Sequence, residues 1–208
     1  IFWAIYIVNL LAVIAGYSQY ELLERIKIQA YFTQKEVEIN DLLQAIIGIL
    51  QTILYLASII AFLIWFSRAY ANLGRIGVSI DHNKSMAVWS FFIPILSLFR
   101  PYTIAKEIAY ETRKKAAKID ENIYVKRNFP IIKLWWILFL VTNWVGQFAF
   151  RSIFKEETIE QLITTTQAYM VSDFLDIPAA IVTFLMIKQI AKDESIIYTA
   201  KHHTTLIS

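Results

Sequence analysis

The chain has 208 residues, of which 57% are hydrophobic and 18% charged. Soluble domains hold roughly 45–50% and about 25%, so an ordinary soluble fold is excluded. The absence of cysteine excludes disulfide scaffolds, thiolate metal sites and cysteine nucleophiles. The net charge of +3 is small, and where the charges lie is more informative than their sum.

A helix that crosses the roughly 30 Å hydrocarbon core needs about 20 mostly apolar residues. Residues 1–17 are uncharged and apolar and predict a first span. The chain opens Ile1-Phe2-Trp3 without an initiator Met, so further residues are expected upstream. Residues 42–66 carry no charge and predict the second span. Residues 86–99 are apolar but short, with Pro94 in their middle, and read as a re-entrant or interfacial element. Residues 101–120 read as a basic surface helix opened by Pro101. Residues 130–150 contain only Lys133, near an end where its stem can snorkel, and predict the third span. Residues 172–190 predict the fourth, with Asp173 and Asp176 at one end and Lys188 at the other. The expected fold is therefore all-α, a single polytopic membrane bundle of four spans.

Charge sets the expected orientation. The first interspan segment holds Arg25, Lys27 and Lys35 against Glu21, Glu24, Glu36, Glu38 and Asp41, and the last holds Arg151 and Lys155 against Glu156, Glu157 and Glu160. Both are net acidic and read as outside. The segment from Arg100 to Lys133 is rich in Lys and Arg and reads as inside, as does the stretch with Arg68, Arg75 and Lys84. Two inside segments flank residues 86–99, so that element is expected to return to the face it left. If it crosses instead, one basic segment faces the wrong way. Both termini are then cytoplasmic. Each half runs out, through an acidic segment, and back, a weak hint of an internal repeat.

The second span continues through Trp65-Phe66-Ser67-Arg68-Ala69-Tyr70-Ala71-Asn72-Leu73 with no helix breaker before Gly74. Trp89 and Pro94 follow, then Arg100-Pro101-Tyr102 and Glu107-Ile108. This pattern, WFxRAYxNL followed by RPY, resembles a family of bacterial polytopic membrane proteins, a domain of unknown function numbered in the 4300s. The likeness runs from Leu42 to Ile190. Relatives carry a Pro-Gly where this chain has Lys84-Ser85-Met86. The resemblance implies a multi-pass protein of the bacterial inner membrane and implies no activity.

Two sets of residues are candidates for a site. Arg68, Tyr70, Asn72, Arg100 and Tyr102 are expected to converge at the inner interface, where arginines suit phosphate or carboxylate groups. The plainer reading is headgroup anchoring, common for Arg and Tyr at helix ends. The second set is Asn143 and Gln147 on the third span with Asp173 and Asp176 on the fourth, joined by Gln44 and Gln51 on the second and Asn9 on the first. Ionisable groups at membrane depth usually face a cavity or a partner. The plainer readings are that the aspartates, with Ser172 beside them, cap a helix start, and that the amides hold helices together.

No catalytic residue, metal ligand set or cofactor is expected. HExxH, GxSxG, Walker and Gly-rich dinucleotide patterns are absent. His82, His202 and His203 lie outside the spans, which excludes bis-histidine haem in the bundle. The expected partners are membrane lipids, with anionic lipid at Arg113, Lys114, Lys115 and Lys118, and a membrane protein. The basic run is too short and too mixed with acids for nucleic acid. Three functions compete: a non-enzymatic module binding lipid or a membrane protein, a small transporter or channel with a polar pathway between the spans, and an intramembrane enzyme acting on lipid.

Overall fold

The computed structural model describes residues 1–125, 128–152 and 158–207, with side chains to residue 200. Lys126 and Arg127 of the basic segment between Arg100 and Lys133, Lys155, Glu156 and Glu157 of the last interspan segment, and the side chains of His202 and His203 lie outside the described residues. The described residues are helical, without strands, in the order α1 (Phe2–Lys27), α2 (Gln34–Arg75), α3 (Met86–Trp89), a 3-10 turn (Leu96–Leu98), α4 (Arg100–Ala116), α5 (Pro130–Ser152) and α6 (Ile159–Ile207). Helices α1, α2, α5 and α6 are each long and apolar enough to cross a membrane.

The helix ends follow from local sequence. α1 closes on a Schellman motif: Gln29 takes a positive φ of 55°, the Ala30 N–H donates to Arg25 O at 2.9 Å, and Gln29 N–H donates to Ile26 O. Arg25 and Lys27 occupy its last turn, where cations favour the helix dipole. The Thr33 side chain caps α2, accepting from Glu36 N–H at 3.2 Å. α2 runs straight through Gly74 and stops at Gly77 (φ 78°), where Val78 N–H reaches Leu73 O at 3.0 Å. Its 42 residues extend about 63 Å at 1.5 Å each, well beyond the hydrocarbon core.

Two expected boundaries need correction. The basic helix is α4, Arg100–Ala116 rather than 101–120, and closes in turns. The fourth long helix starts at Ile159, capped by Thr158, whose Oγ1 accepts from Gln161 N–H at 3.3 Å. Asp173 and Asp176 therefore lie inside α6 and cap nothing. Between residues 86 and 99 there is one helical turn and one 3-10 turn, with Trp89 59% and Ile95 73% exposed. Ile95 holds φ at 66°, a left-handed conformation that costs a β-branched residue on the order of 1–3 kcal/mol.

The chain forms two compact units: Ile1–Ser58 with Ile137–Ile181, and Ile59–Trp136 with Val182–Ser208. Helices α2, α5 and α6 each contribute residues to both. The first unit packs Ile5, Ala12, Ala15 and Ile47. Gly16 permits a close approach there, since a Cβ on it would stand 2.7 Å from Met170 Cγ. The second unit has an aromatic core in which Phe66 lies 5.5 Å from Phe62 and from Phe91 and 6.5 Å from Trp135. Leu42, Ile46, Ile49, Ile53, Leu56 and Ile60 of α2 are exposed. A soluble protein does not carry an apolar surface of that extent, whereas lipid tails solvate it at no cost.

Candidate functional site

In the first unit, three apolar helices place polar side chains against one another. Gln51 and Tyr55 are one turn apart on α2, Asp173 and Asp176 are three apart on α6, and both spacings put a pair on one helix face. Gln51 Nε2 donates to Asp173 Oδ1 at 2.7 Å and to Asn9 Oδ1, on α1, at 3.1 Å. The Tyr55 hydroxyl lies 2.8 Å from Asn9 Oδ1 and 2.8 Å from Asp176 Oδ2. Asn9 is 1% exposed, and its Nδ2 has no hydrogen-bond partner among the described residues. Gln51, Tyr55, Asp173 and Asp176 line an open-sided cavity of about 480 Å³, together with Gln44 and Thr166 among others. No Lys, Arg or His is in its described wall. Gln44 also ties α2 to α1, its Nε2 donating to Ala15 O at 2.9 Å.

The other members of this expected set lie elsewhere. Asn143 is exposed and turns back on its own helix, its Nδ2 donating to Phe139 O at 2.7 Å. Gln147 is exposed on the same helix. Tyr55 was not among the expected residues. The signal for it was available, since Gln44, Gly48, Gln51 and Tyr55 recur at helical spacing on an otherwise apolar helix.

The second unit holds a separate polar cluster. Tyr70 is fully buried; its hydroxyl donates to Glu107 Oε2 at 3.1 Å and accepts from His82 N–H at 3.0 Å. Glu107 Oε1 accepts from Asp81 N–H at 2.9 Å. Arg100 Nη1 donates to the His82 ring, closest to Nε2 at 2.7 Å. The segment after α2 is thus pinned to α4 through Glu107 and Arg100. Asn72 points away from this cluster, its Nδ2 donating to Glu194 at 3.1 Å. Tyr102 is half-buried with the Lys106 ammonium 5.4 Å from its ring centre. Arg68 is exposed and makes no hydrogen bond or ion pair among the described residues. Of the five expected residues, Tyr70 and Arg100 meet, through His82, and Arg68, Asn72 and Tyr102 are not brought to them.

Four apolar helices long enough to span a bilayer, with carboxyls and amides bonded to one another beside a cavity, define a helical multi-pass membrane protein. Residues 29–192 match the family described as Domain of unknown function (DUF4328), and the chain belongs to that family. No curated protein and no solved structure matches it.

Proposed function

We propose that the protein is a small transporter, and that the first unit's cavity is where a small polar solute or ion enters the span region. The supporting observation is the pair Asp173 and Asp176 in that wall, each bonded from α2. Carboxyls on spanning helices are costly unless they line a water-filled or ligand-filled space. This reading takes up the alternative of a polar pathway between spans. Its setting is a bacterial inner membrane with both termini cytoplasmic, which rests on the basic charge of the segment after α2 and of α4.

A second reading, lipid binding, is favoured by α4. That helix buries Ile104, Ala105, Ile108 and Ala109 on one side and exposes Lys106 and Lys114, with Lys118 exposed in the turn beyond. Such residues gain about 1 kcal/mol each near anionic headgroups. Arg113 is diverted inward, donating to Tyr124 O at 3.0 Å and lying 3.6 Å from Asp193.

Single cysteines in the cysteine-free chain test cavity and orientation together. Thr165→Cys and Ser172→Cys should react in intact membranes with a small cationic methanethiosulfonate, and faster than with an anionic one. In intact cells an impermeant reagent should label Thr33→Cys and Thr158→Cys and spare Asn83→Cys, Lys115→Cys and Thr199→Cys. Cavity cysteines inert to both charges would overturn the transport reading. External labelling at Lys115→Cys would overturn the orientation.

A further inference from the structure

The first unit's polar chain does not close on ordinary protonation states. The Tyr55 hydroxyl has one hydrogen, yet two oxygens, Asn9 Oδ1 and Asp176 Oδ2, each stand 2.8 Å from it. With both aspartates charged, one of these contacts sets lone pair against lone pair. A proton on Asp176 resolves it. Asp176 then donates to Tyr55, Tyr55 donates to Asn9 Oδ1, and Gln51 Nε2 spends its two hydrogens on Asn9 Oδ1 and Asp173 Oδ1.

A carboxamide can present either end, which gives one alternative. If Asn9 turns over, its Nδ2 donates to Tyr55 and frees the phenol hydrogen for Asp176. Nδ2 then also faces Gln51, which must turn over as well and offer Oε1. That oxygen lies 2.7 Å from Asp173 Oδ1, so Asp173 must carry the proton. Turning only one amide sets donor against donor or acceptor against acceptor. Both consistent arrangements hold one proton, on opposite ends of the chain. In the first, Asn9 Nδ2 is the atom left over, and it is the atom that lacks a partner among the described residues.

We propose that Asp173, Gln51, Asn9, Tyr55 and Asp176 form a one-proton site, with the proton on Asp176 or Asp173 according to the turn of the two amides. The inference rests on the transport reading in taking the cavity as the route of exchange; the proton is then the ion that the cavity binds. Both carboxyls line the cavity, so a proton leaves one for cavity water while the other takes one up, and the site keeps one proton throughout. The titratable groups facing it are Tyr55 on α2 and Tyr169, Asp173 and Asp176 on α6; from α1 the neutral Asn9 bonds into the chain and the neutral Gln19 lines the wall, where no described residue of α5 stands.

Asparagine imitates a protonated aspartate, so Asp176→Asn satisfies the first arrangement with no bound proton, and Asp173→Asn satisfies the second. The readout is the infrared carbonyl stretch of a protonated carboxylic acid, in full-length protein in lipid nanodiscs, as wild type minus variant. The expected result is loss of one such band, with equal area, in each single variant and the same area, not twice it, in the Asp173→Asn, Asp176→Asn double variant; twice the area would mean two protons and overturn the proposal. Loss in only one variant would place the proton permanently on that residue and overturn the proposal, and loss in neither would overturn it outright. Should a variant fail to fold, wild-type protein isotopically labelled at the aspartate side-chain carboxyl carbon decides by magnetic resonance. One acid and one carboxylate are expected for this pair; two of a kind overturn the proposal. The cysteine probes keep the two ideas apart. Inert probes with the band result intact would end the transport reading alone, and reactive probes with the bands unmoved would end the one-proton site alone.

Discussion

The Tyr70 hydroxyl donates to Glu107 Oε2 at 3.1 Å and so ties the end of α2 to α4. The Tyr70 hydroxyl oxygen in turn accepts the His82 N–H at 3.0 Å. Tyr70→Phe keeps the ring in its buried place and strips both partners. A buried donor or acceptor left unmatched costs about 1–3 kcal/mol, so the variant should melt measurably below wild type in detergent. An unchanged melting temperature would show that the bond contributes nothing to the fold.

Arg68 and Arg100 should behave as unrelated residues. Arg68 is exposed, and its replacement by Ala should fall within about 0.5 kcal/mol of wild type. Arg100→Ala removes the donor to His82 and should cost more. The double variant should equal the sum of the singles. A coupling energy above about 0.5 kcal/mol would mean that the two side chains share a partner after all.

Two glycines near the end of α2 should respond in opposite ways. Gly77 holds φ at 78° with open space around it, so Gly77→Ala meets backbone strain alone and should cost about 1 kcal/mol. Gly74 is helical, with nothing within 4 Å of an added Cβ. Gly74→Ala should leave stability unchanged or raise it by up to about 1 kcal/mol. Equal effects in thermal melts would contradict a closure of α2 that depends on the positive φ of Gly77.

How much of this was legible depends on what surrounds each segment. The apolar run of α2 reads clearly because lipid demands apolarity on nearly every side. The first turns of α6 do not, since Glu160 and Thr164-Thr165-Thr166 lower the hydropathy while the helix continues. The interior of the second unit was written in helical spacing: Phe66, Ala69, Tyr70 and Leu73 are buried, and that stripe excludes Arg68. Arg68 and Asn72, four apart, share a helix face, but that spacing does not say which face is inside. The role of His82 is not legible locally, because its partner Arg100 is eighteen residues away in sequence and nothing local joins them. Asp173 and Asp176 were legible as residues worth watching, but their partners Gln51 and Tyr55 lie on α2, a juxtaposition set by packing.

Pro178 stands inside α6, two residues beyond Asp176. A proline has no N–H to give, so the carbonyl of Phe174, between the two aspartates in sequence, has no helical donor. At that level α6 can bend without breaking a backbone bond, because the bond was never made. The place where α6 lacks a backbone bond is thus the place where its two acids stand. A gain or loss of charge on Asp173 or Asp176 would act on α6 beside that missing bond, giving a change in electrostatics a direct means of becoming movement.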